Sequence, residues 1–409
     1  MKTLVINKKN LNLGGIENFL YNLIKYAISQ QYRVVWLTNS KHVIFRGFKD
    51  ILDQIEIITS DKKVISSSAQ QRSLKFSEDE EVVILSFTPF THDFALSIRE
   101  RNPSISIKPL YILANTKGYL YFIEKYFKWP LNRYVKKKMA TIHQEWEERE
   151  EIRYYTQQQR RALEDNYGIT ISNPKAKQVP HSVSLPSINE NDLLKRAERK
   201  DFNIISITRF VFPHKQYLLG LVDAYAQLKS KYNQLTLNII GYGPGENQLK
   251  EKIDALPDNI KKDIHLLGPK TNKEIDEIMR NMHLNVSVAG SILCGARNCV
   301  ISLPARNYCE GECEVYGYLP PSIKLLSSTE KGSPVIPYIE ELINMPTEDY
   351  ILECKRSYQA FASLKPRPEY IFEQKGNSTV GNHHHHLFFN IFNRLALIVM
   401  AYWKIKRKI

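Results

Sequence analysis

Apolar positions in this chain recur at two periods, and the two alternate. "TLVIN" (3–7) is a short apolar run, and "YRVVWLT" (32–38) is another. Between them, "GGIENFLYNLIKYAISQ" places Ile16, Phe19, Leu20, Leu23, Ile24 and Ala27 three or four residues apart. Short apolar runs predict strands and the three-to-four spacing predicts an amphipathic helix, so the chain opens with a βαβ unit. Two more strands are expected at "VVILSF" (82–87) and "IKPLYIL" (107–113), with the amphipathic "HDFALSIRERN" between them. That order predicts an open parallel sheet of the doubly wound type. From about 120 to 167 the pattern becomes helical and densely charged, as in "KKKMATIHQEWEEREEIRYYTQQQRRALEDNYG". No heptad is sustained there, so a solvated helical face is expected rather than a coiled coil.

"ISNPKAKQVPHSVSLPSINEND" (171–192) then breaks the periodicity with prolines and small polar residues, which marks a linker. Alternation restarts beyond it. "NIISIT", "LTLNII", "DIHLLG" and "LNVSVA" read as strands, and "YLLGLVDAYAQLKSKY", "NQLKEKIDAL" and "NKEIDEIMRNM" as the intervening helices. Two α/β halves joined by one linker leave a cleft between them, where ligands commonly bind. No short repeat of the solenoid kind is present.

With 409 residues, 43% of them hydrophobic, the chain can bury the core of two ordinary domains. Its formal net charge of +14 implies an anionic partner: nucleic acid, an acidic membrane surface or a phosphorylated small molecule. "MKTLVINKKN" has too short an apolar stretch for a secretory leader, so the body is expected to stay in the cytosol. Cys294, Cys299, Cys309 and Cys313 cluster at C-x4-C and C-x3-C spacings. Paired thiolates for a metal want a tighter C-x2-C pattern, so these cysteines are expected to be small buried hydrophobes and no metal is expected.

The charge question sharpens at "SITRFVFPHK" (206–215), where an apolar run stops on Arg209 and Lys215 follows in the loop before the next helix. Ligands approach the carboxyl ends of parallel strands, so both cations could meet one diphosphate, the arginine as a fork and the lysine as a point charge. The plainer reading is a salt-bridged arginine beside a solvated lysine. In "LNIIGYGPGENQLK", Gly241, Gly243 and Gly245 lie between a strand and a helix, with Glu246 entering the helix. Glycine there serves either close approach to a ligand or turn geometry. Gly14 and Gly15 occupy the corresponding first turn of the amino-terminal half.

In this order the segments resemble one family. "GGIENFLYNLIKYA", "KQVPHSV", "SITRFVFPHKQYLLGLVDAYAQL", "LNIIGYGPGENQLK", "IHLLGPKTNKEIDEIM" and "LNVSVAGSILCGARNCVIS" are similar to retaining nucleotide-sugar glycosyltransferases of the GT-B architecture, often called group 1 or family 4. The resemblance spans most of residues 1 to 305 and is strongest in the second half. It implies two doubly wound Rossmann-like domains facing a cleft: an acceptor-side domain at 1–180, a donor domain at 181–370 and a tail at 371–409. It also implies hexosyltransferase-type sugar transfer with retention, using a nucleotide-diphosphate sugar and no cofactor. Arg209 and Lys215 match the family's diphosphate clamp, Gly14 and Gly15 the loop approaching the phosphates from the other side, and Gly241 and Gly243 the turn near the nucleotide.

Two departures accompany the match. Cys294 falls where the family has the glutamate that binds the donor ribose, and a thiol cannot accept two hydroxyl hydrogen bonds as a carboxylate does. Glu310, Glu312 and Glu314 lie nearby in sequence, as a substitute or as a solvated loop. Where the family often has a histidine near the reacting sugar, this chain has Leu113, Ala114 and Asn115. His92, in the loop "FTPFTHDF", is then the closest cleft-side candidate, ahead of His143 in the charged helix.

Finally, "HHHHLFFNIFNRLALIVMAYWKIKRKI" joins an apolar run from Leu387 to Trp403 to the cations Lys404, Lys406, Arg407 and Lys408. Broken by Asn390, Asn393 and Arg394, the run falls short of the ~20 apolar residues a spanning helix needs. It reads as an amphipathic segment lying on the cytosolic membrane face, or as a helix packed back on the protein. His383 to His386 carry no assignment. The expected function is sugar transfer to a lipid-linked surface glycan of the capsule or O-antigen kind, with a catalytically silent binding or scaffold relative as the alternative. No motif supports nucleic-acid binding.

Overall fold

A computed structural model describes residues 1–8, 15–38, 48, 50–59, 74–113, 130–155, 157–180, 188–198, 200–325, 328–364, 367–374, 385, 388–389 and 391. In the first half these are β1 (Lys2–Asn7), α1 (Gly15–Ser29), β2 (Arg33–Thr38), β3 (Glu56–Thr59), β4 (Glu81–Ser86) and α2 (Pro89–Arg101). There follow β5 (Ser106–Leu113), α3 (Leu131–Glu148), β6 (Ile152–Tyr154), α4 (Gln157–Tyr167) and the single turn α5 (Pro174–Lys177). The six strands form one parallel sheet in the order β3-β2-β1-β4-β5-β6. Its central strands are covered on both faces, which is why Leu4, Val5, Ile6, Ile84 and Leu85 are all fully buried and read as unbroken apolar runs.

In the second half come α6 (Glu190–Ala197), β7 (Phe202–Arg209), α7 (Tyr217–Lys229), β8 (Leu235–Tyr242), α8 (Glu246–Asp254) and α9 (Asp258–Lys261). They continue through β9 (Ile264–Gly268), α10 (Asn272–Met279), β10 (Leu284–Ser287), α11 (Gly290–Arg297) and β11 (Ile301–Pro304). A small antiparallel pair, β12 (Glu314–Val315) and β13 (Ser333–Pro334), precedes α12 (Val335–Asn344) and α13 (Thr347–Ala362). The second sheet is parallel in the order β11-β10-β7-β8-β9. Strand order therefore reverses between β7 and β10, and such a switch point opens a crevice at the carboxyl ends of the strands.

The expected pair of doubly wound sheets is present, with corrections of detail. The charged stretch read as continuous helix is interrupted by β6, three buried residues that extend the first sheet at its edge. Three residues are too few to express a period of two, and their helical flanks mask them. Residues 120–129 lie outside the described residues. β3 was not anticipated either, because its burial is slight and its pattern carries no apolar face. Past α13 the chain returns to the first half, where Tyr370, Ile371 and Phe372 pack in the same cluster as Leu4, Leu20 and Trp36. The boundary drawn at 370 thus falls inside a segment that packs with the first domain. Phe389 is buried too, against Phe90 at 5.0 Å between ring centroids and Trp146 at 6.3 Å, while the His385 ring lies 2.8 Å from Glu145. The start of the apolar tail therefore packs back on the protein; residues 392–409 lie outside the described residues.

Candidate functional site

Arg209 closes β7, and the seven residues before it supply the apolar register that places it at the strand's carboxyl end. Lys215 lies in the loop that leads to α7, so both cations stand over the switch point. They line one pocket of about 250 Å³ together with Thr208, Gly241, Ser291 and Cys294. Among the described residues the Arg209 guanidinium has neither hydrogen bond nor ion pair, and the salt-bridged reading of Arg209 does not hold. The Lys215 ammonium donates to Asn307 Oδ1 at 2.8 Å and, among the described residues, meets no carboxylate. Burial pulls Lys215 down to about 8, because a cation withdrawn from water without a counter-charge favours its neutral form.

Neutral Asn307 holds that ammonium without cancelling its charge. It is itself buried, and the loop carrying it is pinned to the lysine's own loop by Tyr308 N–H donating to His214 O at 3.0 Å. On the far wall, Ala289 takes a φ of 51°, an unusual value for a residue with a side chain, just before α11 begins at Gly290. The amino end of α11, Gly290 and Ser291, is thereby part of the pocket wall, where amide hydrogens and the helix dipole favour negative charge. Pro269, Lys270 and Asn272, at the junction of β9 and α10, complete the rim. The capping box between Thr271 and Glu274 starts α10 there and fixes that corner.

Gly241 lies on the pocket floor. A Cβ on it would stand 1.8 Å from Thr208 O, so the glycine permits close approach of β7 and β8. Gly243 does not line the pocket; a Cβ there would meet Phe210 O at 2.6 Å, again a packing requirement. Gly245 caps α8 beneath the Phe212 ring, and Glu246 pairs with Lys250 at 2.8 Å along that helix. Cys294 lines the pocket but is only 7% exposed and packs with Ile205, Ile240 and Ile275, and burial raises its thiol further. All five cysteines are free and buried, as small apolar residues would be. Glu314 accepts two hydrogen bonds from Arg306 and one from Gly332, and Glu310, Glu312 and Glu314 all lie off the pocket.

The histidines require correction. A capping box between Thr88 and Thr91 begins α2 at Pro89, so His92 is inside a helix rather than in a cleft-side loop. It is fully buried, with Nε2 3.0 Å from Glu151 and its ring edge-on to Trp146. Burial works against the Glu151 carboxylate, but the His92 hydrogen bond and charge, with Arg99, outweigh it and hold Glu151 below its ordinary value. His143 is buried as well, donates from Nδ1 to Met139 O at 2.7 Å, and is pushed down to about 4 by desolvation, so it remains neutral. Both histidines serve the first domain's core. Gly15 opens α1, Leu113 ends β5 in the core, and Gly14, Ala114 and Asn115 lie outside the described residues. Asn307 escaped the sequence reading entirely, and so did Lys270 and the α11 amino end.

The comparisons bear on this arrangement directly. Residues 190–293 match the family model described as glycosyl transferases group 1. That segment holds Arg209, Lys215, Gly241 and Gly243 and ends one residue short of Cys294. No curated protein matches the chain in sequence. Among solved structures, HepE of Anabaena in complex with UDP and glucose superposes with a TM-score of 0.57 at 15% identity, over 91% of this chain and 98% of that one. The trehalose-6-phosphate synthase OtsA superposes with a TM-score of 0.54 at 11% identity, over 91% and 97%. A trehalose-6-phosphate synthase examined with bisubstrate glycomimetics gives 0.53 at 14% identity, over 91% and 98%. At such identities the likeness is one of fold, and the fold is the GT-B pair of Rossmann-like domains.

Proposed function

We propose that this chain is a glycosyltransferase that moves a hexose from a nucleotide-diphosphate sugar, with retention, to a lipid-linked surface glycan at the cytosolic membrane face. The observation that carries the reading is the meeting of Arg209 and Lys215 in one pocket at the switch point of the second sheet, neither cation matched by a carboxylate among the described residues. In transfer the bond between the anomeric carbon and the diphosphate oxygen breaks, and its electron pair leaves with the diphosphate. A new bond forms to an acceptor hydroxyl oxygen, whose proton passes to the departing phosphate. Fixed cations and the amino end of α11 stabilise the charge that builds on the leaving group without reorganising as it develops. Two cations already placed there take the part a divalent ion plays elsewhere, so chelation is expected to leave turnover unchanged.

UDP as the donor nucleotide is supported by the UDP-bound HepE structure, and retention by the retaining transfer studied in trehalose-6-phosphate synthase. The basic carboxyl tail supports a membrane-borne acceptor. Release of nucleoside diphosphate from a panel of UDP- and GDP-sugars, with and without membrane-extracted acceptor, tests the proposal. Turnover with one donor is the expected result. Tight diphosphate binding with no turnover on any donor would instead favour a silent scaffold, the reading to which Cys294 points.

A further inference from the structure

A further cation without a hydrogen bond or ion pair among the described residues lies at the amino ends of the first sheet's strands. On β5, Leu110 and Ile112 belong to one buried apolar cluster with Leu4, Ile6, Val83 and Leu85. Two residues before Leu110 on the same face stands Lys108, in register with Val83, where the pattern calls for another apolar side chain. Lys108 is 5% exposed and, among the described residues, makes no hydrogen bond and no ion pair. It opens on a cavity of about 530 Å³ bounded by the amino ends of β1, β4 and β5 and by the returning segment Phe372–Gln374.

The two acids that line this cavity are already matched. Glu81 pairs with Lys2 at 3.8 Å, and Glu373 takes the Arg367 fork at 2.6 Å. The other buried cation nearby, Arg153, spends its guanidinium on the carbonyls of Glu150 and Ile152 and on the Gln374 side chain, while its Nε has no partner. Burial first and the Arg153 charge second hold Lys108 below the ordinary lysine value, against the weaker opposite pull of Glu151, which is itself paired with His92 and Arg99, and of Glu150. Positive charge is thus left over on the cavity wall, with Gln374 and Ser106 as further polar groups at its edge.

We propose that this cavity, between the base of the first sheet and the returning segment, binds a small oxyanion, either free phosphate or the phosphoryl group of a sugar phosphate, on the Lys108 ammonium. The site is independent of the donor pocket, which lies at the carboxyl ends of the other sheet. Occupancy would tie β5 to the Phe372–Gln374 segment and so stiffen the return of the chain to the first domain.

The test is thermal unfolding and calorimetric titration of the full chain with inorganic phosphate and, separately, glucose 6-phosphate. Phosphate should raise the midpoint saturably in the wild type and in Arg209→Ala, and the shift should vanish in Lys108→Met while UDP affinity stays unchanged. Lys108→Gln, which keeps the polar length and removes the charge, should behave likewise and serves if the methionine variant fails to fold. Saturation by glucose 6-phosphate alone would assign the site to a phosphorylated sugar; saturation by both, to the phosphoryl group itself. An equal shift in the Lys108 variants, or no saturable shift in Arg209→Ala, would overturn the proposal and leave the donor reading untouched.

Discussion

At the scale of single residues the molecule turns on how its cations are partnered. Lys215 sits in a half-buried position with a neutral acceptor, and its proton is held less firmly in the folded chain than in the unfolded one. Below about 8 this lysine is charged in both states and its desolvation costs stability; as pH rises from about 8 toward the unfolded value, the folded state sheds its proton first and that cost is relieved. A bound diphosphate needs the charged form, so affinity for UDP should fall roughly tenfold between pH 7 and 9, measurable by calorimetry. A flat profile would place the ammonium off the ligand. Asn307→Asp sets a carboxylate against Lys215, which should weaken UDP binding and move the fall in affinity to higher pH. Arg209→Ala should lower UDP affinity by at least roughly a hundredfold, the loss of a charge-assisted fork, with the unfolding midpoint unchanged. Arg209 was legible because an apolar run ended on it. Asn307 was not, since it comes from 92 residues further along the chain and meets Lys215 only through the fold. His92 belongs to a helix rather than a loop because Thr88 and Thr91 form a capping box that starts α2 three residues before it.

At the scale of elements, apolar runs predicted the strands that are buried on both faces and missed those that are short or marginal. β1, β2, β4, β5, β7, β8 and β10 each bury at least three residues in a row, whereas β9 buries only Ile264 and was still legible from its apolar residues. β6 has only three residues in all, and β3 buries none fully. β11, only four residues long and ending on a proline, follows α11 too closely for its apolar run to stand out as a strand. The glycines were noticed for their place between strand and helix, yet their reason lies in sheet packing. Gly241 brings β8 against the Thr208 carbonyl, and a methyl group there has backbone, not a yielding side chain, to push aside. Gly241→Ala should therefore cost about 3 kcal/mol in urea unfolding and weaken nucleotide binding at the same time. A variant that loses affinity at full stability would show instead that the glycine serves the ligand directly.

On the scale of the whole molecule, the two halves do not follow each other simply along the chain, because the end of the chain goes back to the beginning. Tyr370, Ile371 and Phe372 complete the first domain's core, and Phe389 reaches it again at another face beside Trp146. No helix among the described residues is long and apolar enough to cross a membrane. The first part of the tail carries a buried aromatic anchor, Phe389, and its cationic end at Lys404, Lys406, Arg407 and Lys408 is what we propose meets a lipid surface. The two tasks separate experimentally. Phe389→Asp puts a charge into a ring cluster and should lower the unfolding midpoint of the first domain, since an unpaired buried carboxylate is costly. Replacing the four terminal cations by glutamine should leave that midpoint alone. It should also reduce co-sedimentation with phosphatidylserine vesicles by roughly two to three orders of magnitude, at about 1 kcal/mol per charge. If vesicle partition is the same with and without those cations, at low as at high salt, the tail is held by the protein alone and the acceptor must come to the enzyme by another route.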